Sequence, residues 1–233
     1  AHTIAEANDI TSLQGVIADV ISTTREMRAT TERSRAEVDS MRDRVRAAEA
    51  EIERLQIELE QTSEKMRHDP LTGALNRKGL EESYAKEVSR ATRRGTKLCL
   101  AVLDIDNFKR LNDTYGHNTG DEALLHLVGT VRDCLRPHDT LSRYGGEEFV
   151  ILLPETEIDD AVIVLQRLQR ELTKRYFLAN NEKLLITFSA GVTVVGQEEV
   201  QSSAIERADV AMYQAKATGK NRVVIAPLTS LAA

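Results

Sequence analysis

The chain has 233 residues, 29% of them charged, with a formal net charge of −6. That length allows one domain with a sizeable core plus a further element, and the acidic balance argues against binding nucleic acid through its phosphates. No apolar run approaches a membrane span and none reads as a secretory leader, and Cys99 and Cys134 read as free thiols of a reducing compartment rather than a disulfide.

The sequence opens Ala1-His2 without methionine. It therefore reads as a fragment, with an upstream sensor or membrane domain left open. From Gly15 to His68 it contains neither a further glycine nor a proline. One heptad register fits this stretch. Its a positions are Ile10, Ile17, Thr24, Thr31, Val38, Val45, Ile52, Leu59 and Met66, and its d positions are Leu13, Val20, Met27, Ser34, Met41, Ala48, Leu55 and Thr62. Strict 3-4 spacing of mostly apolar residues is that of a coiled coil, and β-branched residues at a favour two parallel strands. Arg44 at g and Glu49 at e of a partner favour the same arrangement. At about 1.5 Å per residue the rod is roughly 85 Å long. The competing reading is one amphipathic helix packed on a globular domain. Thr24, Thr31 and Ser34 make a polar middle segment, either a tolerated weak patch or a place where a signal changes register. Pro70 disfavours helix at Asp69, so the helix is expected to end near His68. The predicted division is 1–67, a dimerising signalling helix, and 68–233, a globular domain.

Beyond it, helix patterns fall near 77–93, 120–135, 158–174 and 202–217. Strand patterns fall near 98–104, 141–143, 148–153, 185–195 and 222–225. Alternating elements of this kind predict an α/β sheet with packed helices. Leu98 to Leu103 is a continuous apolar run ending in Asp104-Ile105-Asp106. Carboxylates at the end of a buried strand need a partner, and a divalent cation is one. The plainer alternative is that they cap the following helix. Between two short strands lies Gly145-Gly146-Glu147-Glu148-Phe149. Two glycines in a tight turn let a ligand approach the backbone, and two acids come after them. The plainer alternative here is a solvated hairpin with incidental acids.

Taken together these segments resemble the GGDEF domain of diguanylate cyclases. The signature is Gly145 to Phe149. Asp69-Pro70-Leu71-Thr72 with Asn76-Arg77 is similar to the family's opening segment. Asp104 to Lys109, Asn112 to His117 and Gly120-Asp121 are similar to its nucleotide-binding segment. Ala208 to Lys216 with Gly219-Lys220-Asn221 is similar to its closing segment. The likeness runs from about Asp69 to Val224 and implies a ferredoxin-like, palm-type core with a central antiparallel hairpin, a topology that periodicity alone does not select.

The resemblance implies an enzyme that condenses two GTP into cyclic di-GMP and two pyrophosphates. Each 3′-hydroxyl attacks the α-phosphate of the other nucleotide. Asp104, the Ile105 carbonyl, Glu147 and Glu148 would hold two Mg²⁺ ions, with Mn²⁺ as an alternative. The resemblance leaves open whether Glu147 also takes the hydroxyl proton. Lys109, Lys216, Lys220 and the backbone at Asn107 and Phe108 would hold phosphates. Lys220 stands where many family members have arginine, which removes a bidentate grip. Asn112 and Asp121 would read guanine; outside this motif, Asn112 in a turn and Asp121 early in a helix would need no such role. Arg136-Pro137-His138-Asp139, with five residues before Gly145, is similar to the family's product-inhibition site; the alternative is a local salt bridge. One domain offers half an active site, so a parallel homodimer through the coil is expected. A bacterial cytoplasmic setting is implied, with a membrane-anchored longer protein left open. The rival functions are a silent receptor for GTP or cyclic di-GMP, another palm-type nucleotidyl transferase, and a dimerising scaffold.

Overall fold

Eight consecutive residues, Leu98–Ile105, are buried on both faces and form strand β1 at the middle of the sheet. Their side chains alternate between two cores. Cys99, Ala101, Leu103 and Ile105 pack into one, and Leu98, Leu100 and Val102 into the other. A continuous apolar run is what burial on both faces demands.

The protein is described by a computed structural model covering residues 2–179 and 182–227, with side chains of the first helix described at 17, 20–56 and 58. It divides into two compact units, Ala1–Thr62 and Ser63–Ala233. The first consists of helix α1 (His2–Lys65) up to Thr62. Ile17, Val20, Met27, Val38, Met41, Val45, Ile52 and Leu55 are exposed apolar residues on it at expected a or d positions, and Ile21, also exposed, lies just beside them at e. The side chains of Ile10, Leu13, Leu59 and Thr62 lie outside the described residues. Thr24 and Thr31 donate their hydroxyls to the carbonyls of Val20 and Met27, four residues back, at 2.6 and 2.8 Å.

The helix ends at Lys65, three residues before the sequence-based expectation of His68. Asn76 accounts for the difference. Its Nδ2 donates to the carbonyl of Met66 at 2.8 Å, and its backbone N–H donates to that of Arg67, also at 2.8 Å. His68 pairs with Leu75 in an isolated β-bridge. Carbonyls that would have waited for a next turn are thus satisfied from across the bend.

In chain order the second unit continues with α2 (Arg77–Arg94), β1, α3 (Phe108–Tyr115), α4 (His117–Cys134), β2 (Thr140–Arg143) and β3 (Glu148–Pro154). Next come α5 (Ile158–Lys174), β4 (Phe177–Ala179), β5 (Glu182–Leu184), β6 (Phe188–Val194), α6 (Gln201–Ala217) and β7 (Val223–Ile225). The main sheet has the order β2-β3-β1-β6-β7, antiparallel except for β6 and β7. This contains the βαββαβ arrangement of the ferredoxin-like fold, with the β2-β3 hairpin beside the central strand. Leu124 and Leu127 of α4 and Leu165 and Leu168 of α5 fill one core. Leu80 and Tyr84 of α2 and Ala208 and Met212 of α6 fill the other.

Three elements are additional to the sequence-based expectation. Helix α3 occupies a stretch read only as a binding segment; Gly116, at φ 88°, ends it and starts α4 within one residue. Strands β4 and β5 are three residues each, β4 apolar with two residues buried and β5 largely polar and exposed; runs this short carry little periodic signal. Helix α6 lies against β6 at Gly191, where an added Cβ would stand 1.9 Å from the Ala208 carbonyl oxygen. That close approach fixes the helix that carries Lys216.

Candidate functional site

The turn of the β2-β3 hairpin is closed by one carbonyl. Glu148 O accepts from Tyr144 N at 2.8 Å and Gly145 N at 3.2 Å. Neither Gly145 nor Gly146 adopts positive φ, so these glycines serve for room rather than for left-handed backbone. A Cβ on Gly145 would lie 2.4 Å from Glu148 Oε2, whereas one on Gly146 would point into open space. The first glycine lets the Glu148 carboxylate fold over the turn, and the second leaves the backbone approachable.

Pairing in the sheet brings the acids together. Asp104 faces Glu148 directly across β1 and β3, and Ile105 N donates to Glu147 O at 3.4 Å. Directly opposed residues of an antiparallel pair share a face. Lys216, one residue before the end of α6, enters the same face, with Nζ 2.7 Å from Asp104 Oδ1. The ammonium is thus the cation set against the buried Oδ1. Burial pushes the Asp104 carboxyl above its ordinary range, Lys216 pulls it back, and Glu148 and Asp106 push it up again. Glu147 is raised as well, first by burial and then by Asp104, against the pull of Lys216. Three carboxylates therefore share one ammonium in a half-buried corner.

That surplus of negative charge is what a divalent cation would relieve. Among the described residues no cluster of three or more Asp, Glu, His or Cys side chains forms a ready-made metal cage. The donor set still suits Mg²⁺, which takes one or two carboxylates and completes its shell with water and substrate phosphate. Asp106 is different. Its Oδ1 accepts from Ser189 Oγ, and its Oδ2 from Thr187 Oγ1 and the backbone N–H of Asn221. It is a carboxylate whose two oxygens are both engaged by the fold itself.

The remaining candidates line the end of β1, helix α3 and the start of α4. Asn107 sits at φ 60° and caps α3 without a side-chain bond to the helix. Its Oδ1 instead accepts from Lys220 Nζ at 2.5 Å. Phe108 is buried and Lys109 is exposed. Asn112 on α3 has a buried Oδ1 with no hydrogen-bond partner, packed so tightly over Gly120 of α4 that a Cβ there would come within 1.9 Å of it. An orphaned buried acceptor is costly unless a ligand supplies a donor. Asp121, next in sequence to Gly120, is exposed. The structure thus brings Asn112 to the helix pair that carries Asp121.

Arg136 and Asp139 form a tight turn, but not through the guanidinium. Asp139 Oδ2 accepts from Arg136 N at 2.8 Å, and Asp139 N donates to Arg136 O at 3.0 Å. Asp139 Oδ1 is buried without a hydrogen-bond partner. Both residues line a hollow of about 260 Å³ together with Arg132, His68 and Gly73. Arg132 escapes the sequence reading, although it stands one helical turn before Arg136. A larger hollow, about 280 Å³ between the end of α2 and the loop after β6, contains none of these charged groups beyond Lys97.

Arg143 also escapes the sequence reading. Its Nη2 donates to Gly146 O at 2.7 Å and its Nη1 to Asp69 Oδ1 at 3.1 Å. Asp69 Oδ1 also accepts from Thr72 N and Thr72 Oγ1. Arg77 donates to Tyr144 O at 2.6 Å and lies over the Tyr144 ring, 4.4 Å from its centroid. A charged residue on a short apolar strand beside two glycines is the available signal.

Comparison with known proteins gives one consistent answer. The family profile described as "Diguanylate cyclase, GGDEF domain" matches residues 66–222. The chain is 37% identical over 231 residues to diguanylate cyclase DgcP of Pseudomonas aeruginosa, covering 96% of this chain and 34% of that protein. It is 37% identical over 156 residues to diguanylate cyclase DosC of Escherichia coli, covering 66% of this chain and 34% of that protein. It thus spans about a third of these curated relatives. Among solved structures, the coiled coil and GGDEF domain of DgcB from Caulobacter crescentus, in complex with c-di-GMP, superposes with a TM-score of 0.72 at 34% identity, covering 80% of this chain and all of that one. Diguanylate cyclase SiaD of Pseudomonas aeruginosa, in complex with its activator SiaC, gives 0.71 at 31% identity, covering 97% and 87%.

Proposed function

This chain belongs to the GGDEF-domain family of diguanylate cyclases, and on that premise we propose that it condenses two GTP molecules into cyclic di-GMP with release of two pyrophosphates. The observation that carries the reading is the electrostatic coupling of Asp104, Glu147 and Glu148 around Lys216, whose ammonium pairs with Asp104. Nucleotidyl transfer gathers negative charge on phosphate, so fixed cations at such a corner lower the barrier most.

Asp104, the Ile105 carbonyl, Glu147 and Glu148 would hold Mg²⁺, which when bound polarises the α-phosphate and acidifies the 3′-hydroxyl. Lys216, Lys220, Lys109 and the backbone N–H groups at Asn107 and Phe108 hold the outer phosphates. Asn112 and Asp121 take the guanine edge; the orphaned Asn112 oxygen supports a role that waits for a donor. Arg136 and Asp139 bind the product and inhibit, a reading supported by the hollow they line and by the unpartnered Asp139 Oδ1.

We assign 1–67 to a parallel coiled coil that pairs two chains and 68–233 to the catalytic domain. Apolar seam residues exposed along α1 support the pairing. Each chain carries one nucleotide pocket, so two must face each other for attack. Among the described residues no helix is long and apolar enough to cross a membrane. Incubation of the purified chain with GTP and Mg²⁺, then chromatographic separation, tests the proposal. Cyclic di-GMP and pyrophosphate in a 1:2 ratio are expected; tight GTP binding without product would favour a receptor instead.

A further inference from the structure

Two carboxylates two residues apart, Asp104 and Asp106, are put to different uses. Asp104 is paired with the Lys216 ammonium, 2.7 Å from its Oδ1, among the carboxylates of the signature turn. Asp106, 9% exposed, has both oxygens engaged. Its donors come from two other parts of the chain: Thr187 and Ser189 at the start of β6, at 2.8 and 2.7 Å, and Asn221 N after α6, at 3.0 Å. Its own N–H donates to Thr187 O at 2.9 Å. The carboxylate therefore ties the end of β1 to the start of β6 and to the turn that leads into β7.

That turn is conformationally expensive. Lys220 and Asn221 adopt φ of 61° and 46°, and Gly219 adopts 123°. Asn107, beside Asp106, adopts 60°. Lys220 in the left-handed region persists only where its surroundings hold it there, while Asn107 and Asn221 are of a type that tolerates that region. Asp106 supplies that hold on one side through Asn221 N. The Lys220 ammonium, bound to Asn107 Oδ1 at 2.5 Å, supplies it on the other. The two phosphate-facing segments, Asn107-Phe108 and Lys220, are thus cross-linked before any ligand arrives.

We propose that Asp106 is a positioning residue that fixes the Gly219-Lys220-Asn221 turn against the Asn107-Phe108 backbone and so sets the grip on the outer phosphates of the nucleotide. It acts through Lys220 and the backbone N–H groups and does not ligate the metal. The inference rests on the phosphate role given above to Lys220, Asn107 and Phe108. Removing the carboxylate frees Asn221 N and lets the strained turn relax, so Lys220 is no longer presented at a fixed place. Loss is then expected for the β- and γ-phosphates and not for the guanine end.

The test compares wild type, Asp106→Ala and Asp106→Asn in the full chain. Amide hydrogen exchange of the peptide spanning residues 218–222, without nucleotide, should speed up about tenfold in Asp106→Ala. By calorimetry with Ca²⁺, affinity for GTP should fall about tenfold while affinity for GMP stays within about twofold. KM for GTP should rise more than kcat falls. Asp106→Asn retains one acceptor oxygen for Asn221 N and can turn its amide toward the Ser189 hydroxyl, so it should restore most of both effects. If Asp106→Ala fails to fold, Thr187→Val removes one donor to the same oxygen and should show the same GTP-over-GMP loss in milder form. Parallel loss of GTP and GMP, unchanged GTP affinity, or unchanged exchange of the turn would overturn the inference. A wild-type chain that binds GTP but makes no product would sink the cyclase reading alone; an unaltered preference for GTP over GMP in a folded variant would sink this one alone.

Discussion

Arg143 reaches Asp69, 74 residues earlier, with Nη1 at 3.1 Å, and at the same time holds Gly146 O with Nη2 at 2.7 Å. One guanidinium thereby ties the segment at Asp69 to the backbone of the signature turn. Burial would raise the Asp69 carboxyl, but hydrogen bonds from Thr72 and then Arg143 outweigh it and hold it below the ordinary range. Arg143→Ala leaves that carboxylate short of its cation and should cost about 2–3 kcal/mol. A depressed folded pKa contributes stability above the ordinary aspartate value and loses it as pH falls through the folded value. The gap between wild type and variant, read by urea denaturation at pH 7 and in acid, should therefore narrow on acidification.

Glu147→Gln should abolish cyclisation and yet stabilise the ligand-free chain at neutral pH. The Glu147 pKa is raised by burial and by Asp104, so the charged form is disfavoured in the fold. That penalty is present above the raised folded value and vanishes as pH falls toward the ordinary glutamate value. Melting curves should show the variant ahead of wild type at pH 7 and level with it in acid. Added Mg²⁺ should raise the melting temperature of wild type more than that of the variant.

Gly120→Ala places a methyl 1.9 Å from Asn112 Oδ1 and 3.3 Å from Phe108 Cζ. The Asn112 side chain must yield, while the helix gains from alanine about what it loses in fit, of order 1 kcal/mol. Calorimetry should show affinity for GTP lower by about tenfold with little change in melting temperature.

Arg136→Ala should weaken binding of cyclic di-GMP and relieve product inhibition while preserving the initial rate. Unchanged product affinity would reduce Arg136 and Asp139 to the backbone turn they already form.

Replacing Val45, Ile52 and Leu55 with glutamate should separate the chains at micromolar concentration, since like charges facing across a seam cost several kcal/mol. Light scattering should report monomers that still bind GTP. Their turnover should fall sharply and depend on concentration.

The sequence is informative where chemistry is local and silent where it is relational. The carboxylates, the lysine at the end of α6 and the glycine pair carry their meaning in their spacing, and the long apolar run of β1 announces a strand buried on both faces. The α3-α4 junction does not show, because one glycine at φ 88° ends one helix and begins the next without a polar interval. Lys65 as the end of α1 depends on Asn76, a residue ten positions from the Met66 carbonyl it takes. Arg143 and Asp106 are invisible as a brace and a clamp for the same reason. Their partners lie 74, 81, 83 and 115 residues away, and only the folded sheet brings them together.

The threonines of α1 bear on how a message could travel along such a helix. A buried asparagine at an a position demands a partner across the seam and so locks two strands in one alignment. Thr24 and Thr31 make no such demand, because each hydroxyl is already spent on its own backbone. In the proposed two-stranded rod this stretch transmits alignment without dictating it, and the instructions for phasing reside in the heptads on either side.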